Sequence, residues 1–508
     1  MVTTASVNFM RTIQPSAVFR ASILIYLALA VGASMTRAPW WDEGVFGDIA
    51  QSFATVGRLA SLCLDDDGYV PFPKNHEHIF WQFPAYLVIT GFWSKIFGMT
   101  ILGMRFFSVI VGVGGLFAWR YVLRDTLRDA WLATWIVLLI AVDYGYQVSA
   151  SNGRMDMLCH ATGIGSIALA IWYLDRPSAA RALLAGTVFA ICLTTHPMAL
   201  IYCLLFAWHL WIRRSQWSSV RFGHVAIYLV PAILAFGGWA IYAMQDWATF
   251  KAQMDGNTSY RVGGPRNPFV VLYTDFRVRY WENLRFPGEV NFLKLPVLGI
   301  YLGASLLPLL IPSIRRRHGA LTLVVMPALA VISLAYFDNQ RFSFYLIHTL
   351  PLMLGPVVLT AEWIWRSRTS FARPLAVTFL SGVFAVTATM TLAKITGNAK
   401  RHGYDPAVSY MKQVVLPGEL IMGGSELGYG LGFTKQFEDD RHLGFFSGRI
   451  PHYFAEHKIY YAVMLNRPHA REAREYRERL LREQYEVVFE NFMYRVYKHK
   501  YNGKRPPG

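Results

Sequence analysis

Two adjacent carboxylates, Asp42 and Glu43, stand in the run Trp40-Trp41-Asp42-Glu43-Gly44, just past the first membrane-length apolar segment. Near a low-dielectric boundary a carboxylate is costly unless it has a task. Its pKa can rise there, and it can then act as a base toward a hydroxyl. Two neighbouring acids can divide the roles, one taking a proton and the other positioning a partner. The plainer alternative is a helix N-terminus, where acidic side chains cap free amides and favour the helix dipole. Phe46, Asp48, Ile49, Phe53 and Val56 follow, so the pair precedes or opens an amphipathic helix at the bilayer surface.

Other polar groups share the pattern of standing at the ends of apolar runs. Lys74 and His76, in Lys74-Asn75-His76-Glu77-His78, can face a phosphate. The two histidines alone make an incomplete metal-ligand set, so no metal is expected. Asp65-Asp66-Asp67-Gly68 reads as a solvated turn. Arg154 and Asp156, with Asn152 and His160 nearby, form an ion pair that is either functional or structural. His196, before Pro197, is a helix-end cap or a site group. Arg341 is the last polar residue before the apolar run that holds Tyr345. Its guanidinium either grips a phosphate bidentately or anchors the helix at the interface. Arg105 is an anchor of that kind or a buried structural cation.

The elements that position these groups follow from composition. Of 508 residues, 54% are hydrophobic and 16% charged, and the mean hydropathy is positive at +0.29. Apolar runs near membrane length recur from 18–36 through 100–121, 131–149, 157–174, 180–196, 197–212, 224–244, 293–312, 319–337, 342–361 and 371–393, about eleven helices in all. The net charge of +17 falls largely in short loops. That is the pattern of membrane orientation, and no basic domain with base-stacking aromatics stands apart to bind nucleic acid.

Arginine-rich loops at 120–128, 176–181, 213–221, 315–317 and 366–373 are expected on the cytoplasmic side. This requires 80–98 to be an interfacial or re-entrant helix and not a span. Asp42-Glu43, 152–156, 195–197, 245–292 and 338–341 then share the outer side, where an enzyme needs a substrate already resident in the membrane. The four cysteines imply no disulfide framework. Residues 394–508 are polar and read as a small α/β domain on the outer face, with strand-like pieces at 420–422, 486–489 and 493–497 and a charged helical run at 468–482. The predicted organisation is a transmembrane domain over 1–393, with 37–98 as its first outer loop, followed by that domain.

The ordered series resembles the polyprenyl-phosphate-sugar-dependent glycosyltransferases of the GT-C class, in the branch of protein O-mannosyltransferases and the lipid A aminoarabinose transferase (glycosyltransferase family 39). The matching pieces are Asp42-Glu43, Phe97-Gly98, Arg105, Arg154-Met155-Asp156, Ala185-Gly186 through Thr194-Thr195-His196-Pro197, and Arg341 through Tyr345 to Pro351. The resemblance implies a mainly α, polytopic GT-C fold and a polyprenyl-phosphate sugar donor. It also implies inversion, an Asp42 base, and Glu43 assisting it or binding acceptor. Phosphate or substrate contacts fall to Lys74, His76, Arg154, Asp156, His196, Arg341 and Tyr345. Many relatives have Lys-Pro where this chain has Gln82-Phe83-Pro84, and Lys where it has His196, so a cation that would hold the donor phosphate is either missing or replaced by Lys74, His76 or His196.

The expected partners are the lipid-linked donor, membrane lipids and a glycan, lipid or protein acceptor, with no cofactor. The expected place is a bacterial cytoplasmic membrane, with the site and the carboxyl-terminal domain outside. The rival expectation is a transporter or flippase of a lipid-linked sugar, which would keep charges near the bilayer midplane and carry repeated halves. A non-catalytic scaffold is the third.

Overall fold

The computed structural model describes residues 14–63, 72–259, 261, 267–284, 288–367, 369–434, 436–439, 459–465 and 484–500. The acidic run at 65–67 and the charged run at 468–482 lie outside the described residues. The chain begins with α1 (Pro15–Thr36), whose proline presets the helical φ at its first turn. A short extended link leads to α2 (Trp41–Val56), which stops at Gly57 in the left-handed region. The next helix, α3 (Pro84–Phe97), has 14 residues. At 1.5 Å per residue it spans about 21 Å, short of a hydrocarbon core of about 30 Å.

The bundle then follows as α4 (Ile101–Leu127), α5 (Ala130–Val142), α6 (Tyr144–Ala150), α7 (Met155–Asp175), α8 (Ala179–Leu193), α9 (Ala199–Ile212), α10 (Phe222–Ala243), α11 (Trp247–Ser259) and α12 (Pro268–Asp275). It closes with α13 (Lys294–Leu310), α14 (Ala320–Phe337), α15 (Leu350–Arg366) and α16 (Ala372–Gly397). Among the described residues seven helices are long and apolar enough to cross a membrane: α1, α4, α7, α14, α16 and those containing α10 and α13. The pair α5–α6, bent by 59°, makes an eighth. Asp143 causes that break. Its carboxylate accepts the Tyr146 amide at 3.0 Å and the Tyr301 hydroxyl at 2.9 Å, capping α6 instead of letting α5 continue.

The predicted helix over 342–361 starts later. Arg341 has φ +53 and Ser343–His348 form a 3-10 turn, so α15 opens only at Leu350, with Pro351 in its first turn.

Small and aromatic side chains knit the bundle, with Tyr26, Leu116, Trp119, Ile140, Ile164 and Leu354 at its centre. A polar chain runs through this core. The Trp119 indole donates to His160 Nε2 at 2.9 Å, and the Tyr202 hydroxyl lies 2.8 Å from His160 Nδ1 and 2.7 Å from His348 Nδ1. His160 is thereby committed to the core and not to Arg154 and Asp156.

Past α16 comes α17 (Asp405–Val414) and a five-stranded sheet of the order β2-β1-β3-β5-β4. Its strands are β1 (Ile421–Gly423), β2 (Phe437–Asp439), β3 (Tyr461–Leu465), β4 (Tyr485–Glu490) and β5 (Tyr494–His499). β1 pairs in parallel with β2 and β3, whereas β5 pairs antiparallel with β3 and β4.

Candidate active site

Glu43 sits three residues past the N-cap of α2, and its Oε2 accepts the Trp40 amide at 2.6 Å, the reach-back of a capping box. The same carboxylate accepts Arg105 Nε at 2.8 Å, Arg105 Nη2 at 2.7 Å and the Gly153 amide at 2.7 Å. Arg105 spends its remaining donors on the Ser34, Arg37 and Ala38 carbonyls at 2.8, 2.8 and 3.1 Å. All five of its N–H groups are thus used. The pair is fully buried and joins the end of α1, the start of α2 and the start of α4. Burial by itself would push the Glu43 carboxyl up, but the guanidinium of Arg105, then Arg37 and the Gly153 amide, hold it below the usual range.

Asp42 is the more open of the two acids, with its side chain 20% exposed. It pairs with Arg154 Nη1, and Arg154 Nε donates to Asp156 Oδ2 at 2.8 Å. Arg154 is the N-cap residue of α7 and Asp156 lies in its first turn, where the helix dipole favours an acid. The guanidinium of Arg154 lies 3.9 Å from the centre of the Phe344 ring, a cation–π contact that fixes its plane. Asp156 Oδ1 is buried without a hydrogen-bond partner among the described residues.

Beside this triad, Phe344 stacks edge-on against Tyr345 at 4.5 Å, and Tyr345 lies 5.2 Å from the His196 ring. Arg261 donates from Nη1 to the Tyr345 hydroxyl at 2.8 Å. His196 Nδ1 accepts the Met198 amide at 3.0 Å, which leaves Nε2 as the N–H of a neutral ring. Burial, reinforced by Arg261 and other neighbouring cations, holds the His196 pKa well below its ordinary value. His196 therefore offers a neutral donor and not a replacement cation.

The remaining predicted residues sit elsewhere. Arg341 borders a buried ion cluster in which Arg279 bonds Asp275 at 2.8 Å and Asp338 at 2.8 Å; its own Nε lies 4.0 Å from Asp275. Lys74 pairs with Asp246 at 2.8 Å, and His76 lies 3.6 Å from Glu77, both at the surface. Their loop is clipped to α11 by Gln253, which takes the Phe80 amide on its oxygen at 2.7 Å and gives its amide to the Pro73 and His78 carbonyls at 2.6 and 2.9 Å.

Two site-shaping residues escaped the sequence reading. Arg261 lies in a polar stretch with no local pattern to single it out. Asp48 accepts the Ser61 hydroxyl and the Leu62 and Cys63 amides, folding the following loop over α2. Its place about a turn and a half along α2 from Asp42-Glu43 was the available signal. Among the described residues no three His, Cys, Asp or Glu side chains gather as a metal would require.

No protein-family model and no curated sequence matches the chain. Solved structures do. ArnT from Cupriavidus metallidurans bound to undecaprenyl phosphate superposes with a TM-score of 0.56 at 14% identity, over 97% of this chain and 99% of that one. The chain has the GT-C fold. A second GT-C structure, the oligosaccharyltransferase AglB from Archaeoglobus fulgidus with an inhibitory peptide and a dolichol-phosphate, gives 0.52 at 10% identity, over 90% of this chain and 70% of that one. An oligosaccharyltransferase from Archaeoglobus fulgidus in complex with Zn and sulfate gives 0.53 at 11%, over 88% of this chain and 68% of that one.

Proposed function

We propose that this GT-C chain is a membrane glycosyltransferase that moves a sugar from a polyprenyl-phosphate donor to an acceptor hydroxyl, with inversion, on the extracytoplasmic face. The observation that carries the reading is Asp42. It is a partly exposed carboxylate in the first turn of α2, held by a guanidinium that is itself fixed by Asp156 and Phe344. Such a group meets the geometric demand on a general base, a lone pair aimed by a rigid surround.

In the reaction the acceptor oxygen bonds to the anomeric carbon and its proton passes to Asp42. The bond from that carbon to the phosphate oxygen breaks, and its electron pair leaves with polyprenyl phosphate. A single displacement inverts the centre. Arg261, with the hydroxyl of Tyr345, and Arg154 are the cations that would meet the charge growing on the phosphate. Glu43, saturated by Arg105, positions Asp42 through the backbone they share. The transporter alternative is disfavoured because the charges of this site gather at helix ends and turns. The undecaprenyl phosphate bound to ArnT and the dolichol-phosphate bound to AglB accord with a donor that leaves polyprenyl phosphate behind.

The test is transfer by the purified chain from a labelled panel of undecaprenyl-phosphate hexoses and aminopentoses to a membrane extract, for wild type and Asp42→Asn. Equal transfer by a folded Asp42→Asn sinks the base assignment. No transfer by wild type across the panel sinks the donor class. Orientation is tested with Ser409→Cys, on the exposed side of α17. An impermeant thiol reagent should label it from outside intact cells, and labelling only after lysis would reverse the assignment.

A further inference from the structure

The face of α2 turned away from Asp42 carries Gly44 and Gly47, three residues apart and so on one side of the helix. At roughly 100° per residue, the midpoint of these two glycines lies about 170° around the helix from Asp42. The carboxyl-terminal domain fills that face. A Cβ on Gly44 would overlap the Ser425 carbonyl, and one on Gly47 would overlap the Tyr429 hydroxyl. Through this socket the Ser425 hydroxyl donates to the Trp41 carbonyl at 3.1 Å, and the Tyr429 hydroxyl donates to the Glu43 carbonyl at 2.7 Å. The residues on either side of Asp42 are therefore both held from the carboxyl-terminal domain.

The clamp is itself tied to its sheet and to α17. Glu426, buried between the two contacts, takes the Tyr494 hydroxyl of β5 on Oε1 at 3.0 Å. Its carbonyl takes the Tyr404 hydroxyl, just before α17, also at 3.0 Å. The glycines are not explained by helix formation, since each weakens α2 relative to alanine. They are explained by the close approach they permit.

We propose that residues 425–429 are a positioning clamp for the first turn of α2, so that the carboxyl-terminal domain sets the aim of Asp42 without touching substrate. The catalytic part of this inference rests on the reading of Asp42 as the base. Tyr429 and Ser425 are positioning residues, and the glycines are what lets them in.

The experiment uses the purified full-length chain with Tyr429→Phe and Gly47→Ala, each read in two ways. The first readout is backbone amide hydrogen exchange over residues 41–47, which needs no substrate. Both variants should raise exchange there and leave α4 and α7 unchanged. Alanine is the better helix former, so loosening in Gly47→Ala reports loss of the clamp and not a weaker helix. The second readout is steady-state transfer with the undecaprenyl-phosphate sugar that wild type turns over. Here kcat should fall about tenfold for Tyr429→Phe and more for Gly47→Ala, with donor KM within about twofold, because misaim costs the transition state and not the binding of donor. Tyr429→His, which restores a donor, should recover part of kcat. Unchanged exchange over 41–47 in both variants overturns the clamp whatever the activity. Loosened exchange with wild-type kcat overturns its link to catalysis. An active Asp42→Asn removes the base assignment instead, while the exchange readout still judges the clamp.

Discussion

Asp42 and Glu43 are neighbours in sequence with the same chemistry, yet they occupy opposite kinds of environment. Glu43 has no exposed side-chain surface, and its two oxygens take three N–H groups besides the capping amide. Asp42 keeps a fifth of its side chain open and meets the guanidinium of Arg154, whose other flank is held by Asp156. A buried carboxylate saturated by donors is a joint: it fixes chain segments and has no capacity left for a substrate. A partly open one beside a fixed guanidinium is a tool. The difference arises from helix geometry, since consecutive residues on α2 point about 100° apart, one toward Arg105 of α4 and the other toward Arg154 at the start of α7.

The sharpest way to break this contrast is to neutralise each acid separately. Asp42→Asn should cut transfer by about 10²- to 10⁴-fold, the usual share of a general base, while leaving the unfolding midpoint in detergent nearly unchanged. Glu43→Gln and Arg105→Met should do the reverse. Each leaves a buried charge or a half-made network, at a cost of about 3–5 kcal/mol of stability, and transfer per folded molecule should fall about tenfold at most, through misaim of Asp42 and not through loss of a base. If Glu43→Gln folds normally and is inactive, the joint-and-tool distinction fails.

The same contrast has a pH signature. Glu43 is held below its ordinary pKa in the folded chain, so the unfolded chain takes up the proton first as pH falls. Its contribution to stability is complete above about 4.3, the unperturbed value, and is lost as the pH drops through the lower folded value. Glu43→Gln should flatten the acid limb of a stability–pH curve. An acid limb identical to that of wild type would mean that Arg105 does not hold the carboxylate as described.

A smaller effect is expected at Arg261, the cation beside Tyr345. Arg261→Ala should raise donor KM by about 10- to 100-fold, the worth of a charged hydrogen bond to phosphate, with Arg261→Lys between it and wild type. An unchanged KM would move the phosphate grip elsewhere, Arg154 being the next group to test.

How far all this could be read from the sequence follows from the range of each interaction. The long spans were legible because a bilayer writes its thickness into hydropathy, and Asp42-Glu43 stood out because acids beside such a run are conspicuous. The shorter α8 and α9 and the bent α5–α6 were legible as apolar runs, though not as breaks. The helix over 342–361 was misplaced at its start, since a left-handed Arg341 followed by a 3-10 turn leaves no hydropathy mark. In the tail the pieces at 420–422, 486–489 and 493–497 correspond to β1, β4 and β5. β3 was missed although Tyr461-Ala462-Val463-Met464-Leu465 is an apolar run of strand length. What no local pattern could reveal were partners far apart in sequence. Glu43 and Arg105 are separated by 62 residues, Tyr345 and Arg261 by 84, and Glu43 and Tyr429 by 386. Helix packing alone brings these together, and it decides which cation faces which anion.

The smallest expected effect concerns Lys74, a cation the sequence offered for the phosphate. Its ammonium instead meets Asp246, raising its own pKa and lowering that of the acid through a direct hydrogen bond. Both groups are at the surface, where the cost of ordering two side chains and screening by salt leave such a pair little net worth. The clip between this loop and α11 does not depend on it, because Gln253 bonds the loop backbone directly and Asn257 donates from Nδ2 to the Trp81 carbonyl at 2.9 Å. Lys74→Ala should therefore change transfer by less than about twofold and leave the unfolding midpoint nearly unchanged. Gln253→Ala should loosen the loop measurably by hydrogen exchange. A tenfold loss of transfer in Lys74→Ala, with Asp246→Asn silent, would show that the lysine leaves its partner for the donor phosphate, and the boundary drawn here between the site and the clip would have to move outward to include it.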